Sequence, residues 1–276
     1  MTTILALPDF RGGALNVYFM ENGEIRCIIV FQSLFPEDKK TGYELYDDSI
    51  KRIIRYYDKS IESYFYDISS ENEIHDIIYS IVKNIDSYRE GLLFHFEMHG
   101  DRDKGVLLNN RTFVSWENFT GLLREVNIAT NNKLYVTMAT CFGRYFYVKP
   151  DLSQKIPCRA CITSGREVCT DDILEDFTPF FECLIETGNI EKANKCRPFE
   201  TKFVYKDMRM HVLICIFYIV VRENSWTDEK DIDMTILKNH VNLLCKSMNL
   251  YEKIFFDVDE DSITRDWRKI FQDDIY

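Results

Sequence analysis

Residues 92–100 read LLFHFEMHG, and residues 134–143 read LYVTMATCFG. Each stretch begins with a short apolar run, which is typical of a strand buried on both faces of a sheet. Between the two stretches, Ser115 precedes WENFTGLLREVN at 116–127, and a serine in that position commonly caps a helix. We therefore predict two neighbouring parallel strands that are joined by one helix.

The sequence on both sides continues this alternation of strands and helices. We predict strands at 60–67 and 158–164, and helices over about 43–57, 71–86 and 172–187, the second of them capped by Ser69 or Ser70. Two hairpins are predicted, one at Asn22-Gly23 and one within 105–114 that turns at Asn109-Asn110.

This alternation favours an α/β fold with three layers and a mostly parallel central sheet. The 276 residues are enough for one sizeable domain. We expect a core at about 60–190 and a C-terminal extension at about 195–276 that packs on it. Within that extension we predict a strand followed by a helix over 203–224 and a helix over 231–252.

Composition restricts the possible partners and location of the protein. The net charge of -11 and the pI near 5.0 argue against nucleic-acid binding, which usually needs a basic face. The N-terminus MTTILALPDFRGG lacks the features of a signal peptide. The longest apolar run, VLICIFYIVV at 212–221, is shorter than the roughly 18–20 residues that span a bilayer. We therefore expect a soluble cytoplasmic protein with no membrane partner and with its nine cysteines mostly reduced.

His99 directly follows the apolar run at 92–98, and Cys141 follows the apolar run at 134–139. The carboxyl ends of parallel strands meet at one edge of a sheet, where sites commonly form in open α/β folds. A cysteine thiolate is a nucleophile, and a nearby histidine can generate it and later protonate a leaving amine. The pair therefore predicts a catalytic dyad, with His99 as the base and Cys141 as the nucleophile.

The glycines beside these residues are also candidates for the site. Gly100 would allow an unusual backbone angle after His99. We predict that the N–H groups of Gly100 and Cys141 form an oxyanion hole. Gly143 would relieve crowding just after the nucleophile.

The ordered set formed by His99-Gly100, GVLLNNRTFVSWENF, ATCFG and CRACITSG resembles the caspase-like cysteine peptidases of clan CD, most of all the bacterial CHAT branch. The resemblance covers about 90–190. It implies a caspase-like fold, a Cys/His dyad that needs no metal or other cofactor, and a protein substrate. It also implies a setting in bacterial defence or regulated killing, with a regulatory protein or ligand as activator. Ala139-Thr140 departs from the Gln-Ala or Asp-Ser pairs often found before the nucleophile.

The segment SGREVCTDD at 164–172 follows the next strand and is a candidate substrate pocket. Glu167, Asp171 or Asp172 could pair with a basic substrate side chain, and we favour Glu167. Arg166 could instead select an acidic side chain. These four residues could equally be solvated loop charges, as most exposed charged residues are.

Two patterns raise the question of a metal site. On a strand, His95 and His99 would lie about 13 Å apart, too far for one ion, so we expect His95 to be packed or to face a neighbouring helix. Two roles stay open for Glu97, a position near the site or a structural hydrogen bond. Cys158 and Cys161 have CxxC spacing but lack the second pair that zinc sites need.

Three functions therefore stay open on the sequence alone. The first is a cysteine endopeptidase that acts through an acyl-thioester. The second is a catalytically silent interaction module that keeps the fold, and the third is a metal-dependent hydrolase. The histidine, glycine and cysteine in their predicted positions favour the first.

Overall fold

The computed structural model describes residues 25–57, 61–88, 91–148 and 154–208, together with Thr235. The strands and helices described below all belong to one compact unit, Glu21–Cys215. Its strands are β1 (Cys27–Ser33), β2 (Glu62–Asp67), β3 (Leu92–Asp101), β4 (Gly105–Leu107), β5 (Phe113–Val114), β6 (Leu134–Ala139), β7 (Ala160–Ser164) and β8 (Phe203–Asp207).

These strands form one sheet in the order β2-β1-β3-β6-β7-β8. The first five are parallel to their neighbours, and β8 runs antiparallel to β7. The hairpin β4–β5 attaches to the last residues of β3. The predicted mostly parallel sheet is therefore confirmed, and its central strand is β3.

The helices match the predicted ones closely. A continuous helical stretch contains α1 (Thr41–Glu44), a π-helical segment (Leu45–Lys51) and α2 (Arg52–Tyr57). The others are α3 (Glu71–Lys83), α4 (Trp116–Ala129), α5 (Thr170–Thr187) and α6 (Ile190–Lys195), with 3-10 turns at Ile85–Ser87 and Gly143–Phe146.

Two serine caps were predicted correctly. The hydroxyl of Ser70 accepts a hydrogen bond from the Glu73 N–H at 3.3 Å, and that of Ser115 accepts one from the Asn118 N–H at 3.1 Å. Each cap satisfies an amide that the first helical turn leaves without a partner. These caps fix where the crossover helices α3 and α4 begin.

Helices cover both faces of the sheet. The ring of Phe96 on β3 contacts that of Phe119 on α4, with 4.9 Å between centroids. From the opposite face of β3, His95 contacts Phe177 of α5 at 4.8 Å. This confirms the three-layer α/β/α architecture, because consecutive residues of one strand pack against helices on opposite sides.

The core beneath α5 is rich in large apolar side chains. Phe177, Phe180, Phe181 and Leu184 of this helix are fully buried. They belong to one cluster with Leu93 of the central strand. Burying a side chain of this size contributes roughly 1.5–3 kcal/mol, so this layer holds the sheet edge that carries the candidate site in place.

Some predictions fall on residues that the structure does not describe. They are the hairpin at Asn22-Gly23, the helix predicted to follow β8, the apolar run at 212–221 and the helix over 231–252. Among the described helices, none is long and apolar enough to cross a bilayer.

Candidate active site

The ends of β3 and β6 lie side by side. The two strands pair in parallel up to Glu97 and Ala139. His99 lies two residues after Glu97, and Cys141 lies two residues after Ala139. A Cβ atom placed on Gly100 would overlap the carbonyl oxygen of Cys141 and lie 2.6 Å from Cγ2 of Thr140. The backbone that carries the histidine therefore contacts the backbone that carries the cysteine.

The reason for a glycine at position 100 differs from the predicted one. Gly100 is not among the described residues with positive φ, so the prediction of an unusual backbone angle was wrong. Strand β3 continues through His99, Gly100 and Asp101, which pair antiparallel with the hairpin strand β4. The glycine is needed because any side chain would collide with Cys141.

The imidazole of His99 is held by the loop that follows β1. Its Nε2 lies 2.8 Å from Oδ2 of Asp38, and its ring stacks on Phe35 with 5.0 Å between centroids. The His99 side chain is 40% exposed and that of Asp38 is 27% exposed, so the pair lies at the rim of the sheet.

The carboxylate of Asp38 is stabilised in its charged form. Burial raises the pKa of Asp38, but hydrogen bonds from His99 and from the Phe35 N–H, together with the nearby charge of Lys40, lower it below its ordinary value. Asp38 is therefore an anion at neutral pH, and it faces the histidine as a hydrogen-bond acceptor.

Asp38 was missed by the sequence analysis. It is separated from His99 by 61 residues and belongs to no recognisable motif. Its position after the first strand of the sheet was the available signal. Strand β1 pairs directly with β3, so the loop that leaves its carboxyl end must reach the same edge as His99.

The Cys141 thiol is half-buried and contacts the loop after β7. Its Sγ accepts a hydrogen bond from the Val168 N–H at 3.4 Å and lies 3.7 Å from the Val168 carbonyl oxygen. Among the described residues, no hydrogen bond joins this sulfur to the imidazole of His99. Their strand ends are adjacent, and each side chain is bound to a different loop.

Both neighbours of Cys141 have unfavourable features. Phe142 has a φ of 58°, in the left-handed region that bulky residues rarely adopt. The hydroxyl of Thr140 is buried and has no hydrogen-bond partner in the described part of the chain, which costs about 1–3 kcal/mol. Such features reduce folding stability, so they are rare in general and concentrate at functional sites.

The turn after Cys141 is tightly packed. The N–H of Phe142 donates to the carbonyl of Arg166 at 3.2 Å, and the N–H of Gly143 donates to the carbonyl of Thr140 at 3.2 Å. A Cβ on Gly143 would lie 3.3 Å from Cβ of Met138. This is the crowding that the glycine at 143 was predicted to relieve.

The predicted pocket residues differ in their surroundings. Glu167 and Asp171 are exposed. Asp172 is partly buried and accepts hydrogen bonds from Lys202 Nζ at 2.6 Å and from the Cys169 N–H at 2.7 Å. Burial raises the pKa of Asp172, but these hydrogen bonds outweigh burial and lower it to about 2. Asp172 therefore helps to cap α5, and a substrate role for Glu167, Asp171 and Asp172 stays a prediction.

Two arginines, Arg144 and Arg166, lie near the turn after Cys141. Arg166 is exposed, and its backbone carbonyl contacts Phe142. The side chain of Arg144 lies over Gly165, where a Cβ would come within 2.9 Å of an Nη atom. Arg144 was missed by the sequence analysis, although it follows Cys141 by only three residues.

His95 and Glu97 form a separate buried network. His95 Nδ1 lies 2.8 Å from Thr137 Oγ1, and its Nε2 lies 3.2 Å from Glu97 Oε1. The hydroxyl of Thr41 donates to Glu97 Oε2 at 2.7 Å. The packing predicted for His95 is confirmed by its contacts with α5, and the structural hydrogen bond predicted for Glu97 is also present. Among the described residues, no group of three or more His, Cys, Asp or Glu side chains could hold a metal ion.

No protein-family model matches the sequence, and no curated protein matches it either. The chain is similar to the solved crystal structure of Raptor from Chaetomium thermophilum, with 12% sequence identity and a TM-score of 0.38. That similarity covers 88% of this chain and 26% of Raptor, so the chain spans about a quarter of that protein's length. A similarity this slight supports neither a family nor a function.

Proposed function

We propose that this protein is a cysteine endopeptidase of the caspase-like type, with Cys141 as the nucleophile and His99 as the general base. The observation that carries the proposal is the contact between Gly100 and the Cys141 carbonyl at the ends of two neighbouring parallel strands. Two features on either side of the nucleophile add support: the left-handed backbone of Phe142, and the buried hydroxyl of Thr140, which has no partner among the residues that the structure describes.

The proposed reaction has two stages. The Cys141 thiol gives its proton to the His99 imidazole, and the sulfur attacks the carbonyl carbon of a peptide bond. The N–H groups of Gly100 and Cys141 donate to the oxyanion. The C–N bond then breaks, the imidazolium protonates the leaving amine, and water hydrolyses the acyl-thioester with His99 as the base.

In this proposal, catalysis requires a small rearrangement. The thiol of Cys141 is bonded to the Val168 backbone and the imidazole of His99 to Asp38. The sulfur must leave Val168 to meet the imidazole, and binding of a substrate or of a regulatory protein or ligand would supply that change. On the family resemblance, the substrate is a protein and the setting is bacterial defence or regulated killing.

The charge of the preferred substrate side chain has two candidate determinants. Glu167 and Asp171 would select a basic residue before the cut, whereas Arg144 and Arg166 would select an acidic one. A peptide-library profile distinguishes them. Glu167→Gln would weaken a basic preference, and Arg144→Gln would weaken an acidic one.

The silent interaction module is the second candidate function, because the described side chains of His99 and Cys141 are not hydrogen-bonded to each other. One experiment separates the two functions. The wild type and Cys141→Ala are compared for cleavage of a peptide library and for labelling by a peptide electrophile. Cys196→Ser, which removes another accessible free thiol, is the matched control.

For a peptidase we expect cleavage and labelling by the wild type and by Cys196→Ser, and loss of both in Cys141→Ala. The contrary result is a wild type that neither cleaves nor labels at Cys141, with or without a cell extract as a source of activator. That result would favour the interaction module.

A further inference from the structure

We propose that Asp38 is a positioning residue that completes a Cys141–His99–Asp38 triad. This inference rests on the proposed function and adds a third residue to it. The observation that carries it is the 2.8 Å hydrogen bond between Asp38 Oδ2 and His99 Nε2 at the exposed edge of the sheet. The residue lies on the loop that follows β1, directly beside the strand that carries the histidine.

The loop around Asp38 is fixed at several points. Asp38 Oδ2 also accepts a hydrogen bond from the Phe35 N–H at 2.8 Å. The ammonium of Lys40 donates to the carbonyls of Leu34 and Phe35. One residue further on, Thr41 donates to the buried Glu97 of β3. A carboxylate held in this way loses little conformational entropy when it orients an imidazole. A positioning residue requires such preorganisation.

The hydrogen bond selects one tautomer of the histidine. An ionised carboxylate can only accept, so Nε2 of His99 must carry a proton. In the neutral imidazole the unprotonated nitrogen is then Nδ1, which becomes the nitrogen that takes the thiol proton. The carboxylate also stabilises the imidazolium formed by that transfer, and Asp38 itself gains no proton.

Phe35 restrains the ring in a second direction. Its side chain stacks on the imidazole at an interplanar angle of 26°. The guanidinium of Arg111 lies 4.7 Å from the centroid of the Phe35 ring. Glu37 pairs with Arg111 at 3.7 Å and is well exposed. Glu37 therefore provides a matched control, because it is a neighbouring carboxylate on the same loop that interacts with Arg111 instead of His99.

The test compares Asp38→Asn with Glu37→Gln. We expect Asp38→Asn to lower kcat at least about tenfold while KM changes little, because the amide can donate to Nε2 and favour the wrong tautomer. Glu37→Gln should keep the wild-type kcat. Nitrogen-15 NMR of histidine-labelled protein, with the His99 signals assigned through His99→Gln, should show the Nε2–H tautomer in the wild type and its loss in Asp38→Asn.

The failures of the two proposals are distinguishable. A wild type that cleaves no peptide and does not label at Cys141 contradicts the proposed function. Cleavage by Asp38→Asn at the wild-type rate contradicts the role of Asp38 alone, and so does a slower variant whose His99 keeps the Nε2–H tautomer. If Asp38→Asn does not fold, the wild-type spectrum decides, since an Nδ1–H tautomer there would overturn the triad.

Discussion

Strand β3 carries two histidines, His95 and His99, four residues apart, and each is paired with a carboxylate. His95 pairs with Glu97 in the interior, where their side chains are 0% and 1% exposed. His99 pairs with Asp38 at the rim, where the side chains are 40% and 27% exposed. The same two chemical groups therefore occur once in the interior and once in contact with solvent.

The difference teaches that burial assigns the role of such a pair. In the interior, each polar atom must have a partner, and the network of His95, Glu97, Thr137 and Thr41 supplies one for each. At the rim, Nε2 of His99 is bound to Asp38, and within the described ranges no hydrogen bond to Nδ1 is found. The first pair should therefore control stability, and the second should control reactivity.

The largest expected effect follows from breaking the interior pair. Glu97→Ala removes the hydrogen-bond partner shared by His95 and Thr41, so two buried polar groups lose a partner. We expect a loss of about 3–5 kcal/mol in the free energy of unfolding, measured by urea denaturation. Glu97→Gln keeps one acceptor oxygen and should lose less. Equal losses in the two variants would show that packing, not hydrogen bonding, is what Glu97 contributes.

A smaller loss of stability is expected at the contact between the two strand ends. Gly100→Ala places a methyl group against the Cys141 carbonyl, and we expect a loss of about 1–3 kcal/mol in the free energy of unfolding, together with loss of most of the proposed peptidase activity. Gly121→Ala is the control, since nothing lies within 4 Å of its added methyl group and it stands inside α4. That control should gain up to about 1 kcal/mol. A fully active Gly100→Ala would contradict the close approach.

The smallest effect on stability is expected for the rim pair. Asp38→Asn should reduce the free energy of unfolding by no more than about 1 kcal/mol at pH 7, because the pair is partly exposed. The pKa of Asp38 is lowered in the folded protein, so this contribution is complete above the unfolded pKa, near 4, and disappears as the pH falls through the folded pKa. Denaturation at pH 7 and pH 3 measures it. A larger difference at pH 3 would reverse the predicted sign.

Most of the fold could be predicted because its elements are locally encoded. The apolar runs at 92–98 and 134–139, the caps at Ser70 and Ser115, and the helical spacing of the aromatic residues in α5 each indicated structure without distant information. The end of β3 was placed too early, since its last three residues pair with a hairpin beyond the main sheet. Pairing of that kind depends on partners that local patterns do not reveal.

The site was only partly predictable for a related reason. His99 lies in the last three residues of β3 and Cys141 lies two residues after β6, so both could be found from the ends of the apolar runs alone. Asp38 could be found only from the order of the sheet, because β1 had to be known as the neighbour of β3. The packing reason for Gly100 likewise depends on contact with a residue 41 positions away. Tertiary contacts decide both, and the sequence shows them only indirectly.

Strand β3 pairs with the central sheet along most of its length and with the hairpin at its end. Up to Met98, the strand is held by its neighbours β1 and β6, whereas His99, Gly100 and Asp101 pair with β4. Changes in the hairpin at 105–114 can therefore shift the histidine by fractions of an ångström while the interior of the sheet stays intact. Substitutions in the hairpin could therefore change the position of His99, and with it the rate of the proposed reaction, with little change in the central sheet.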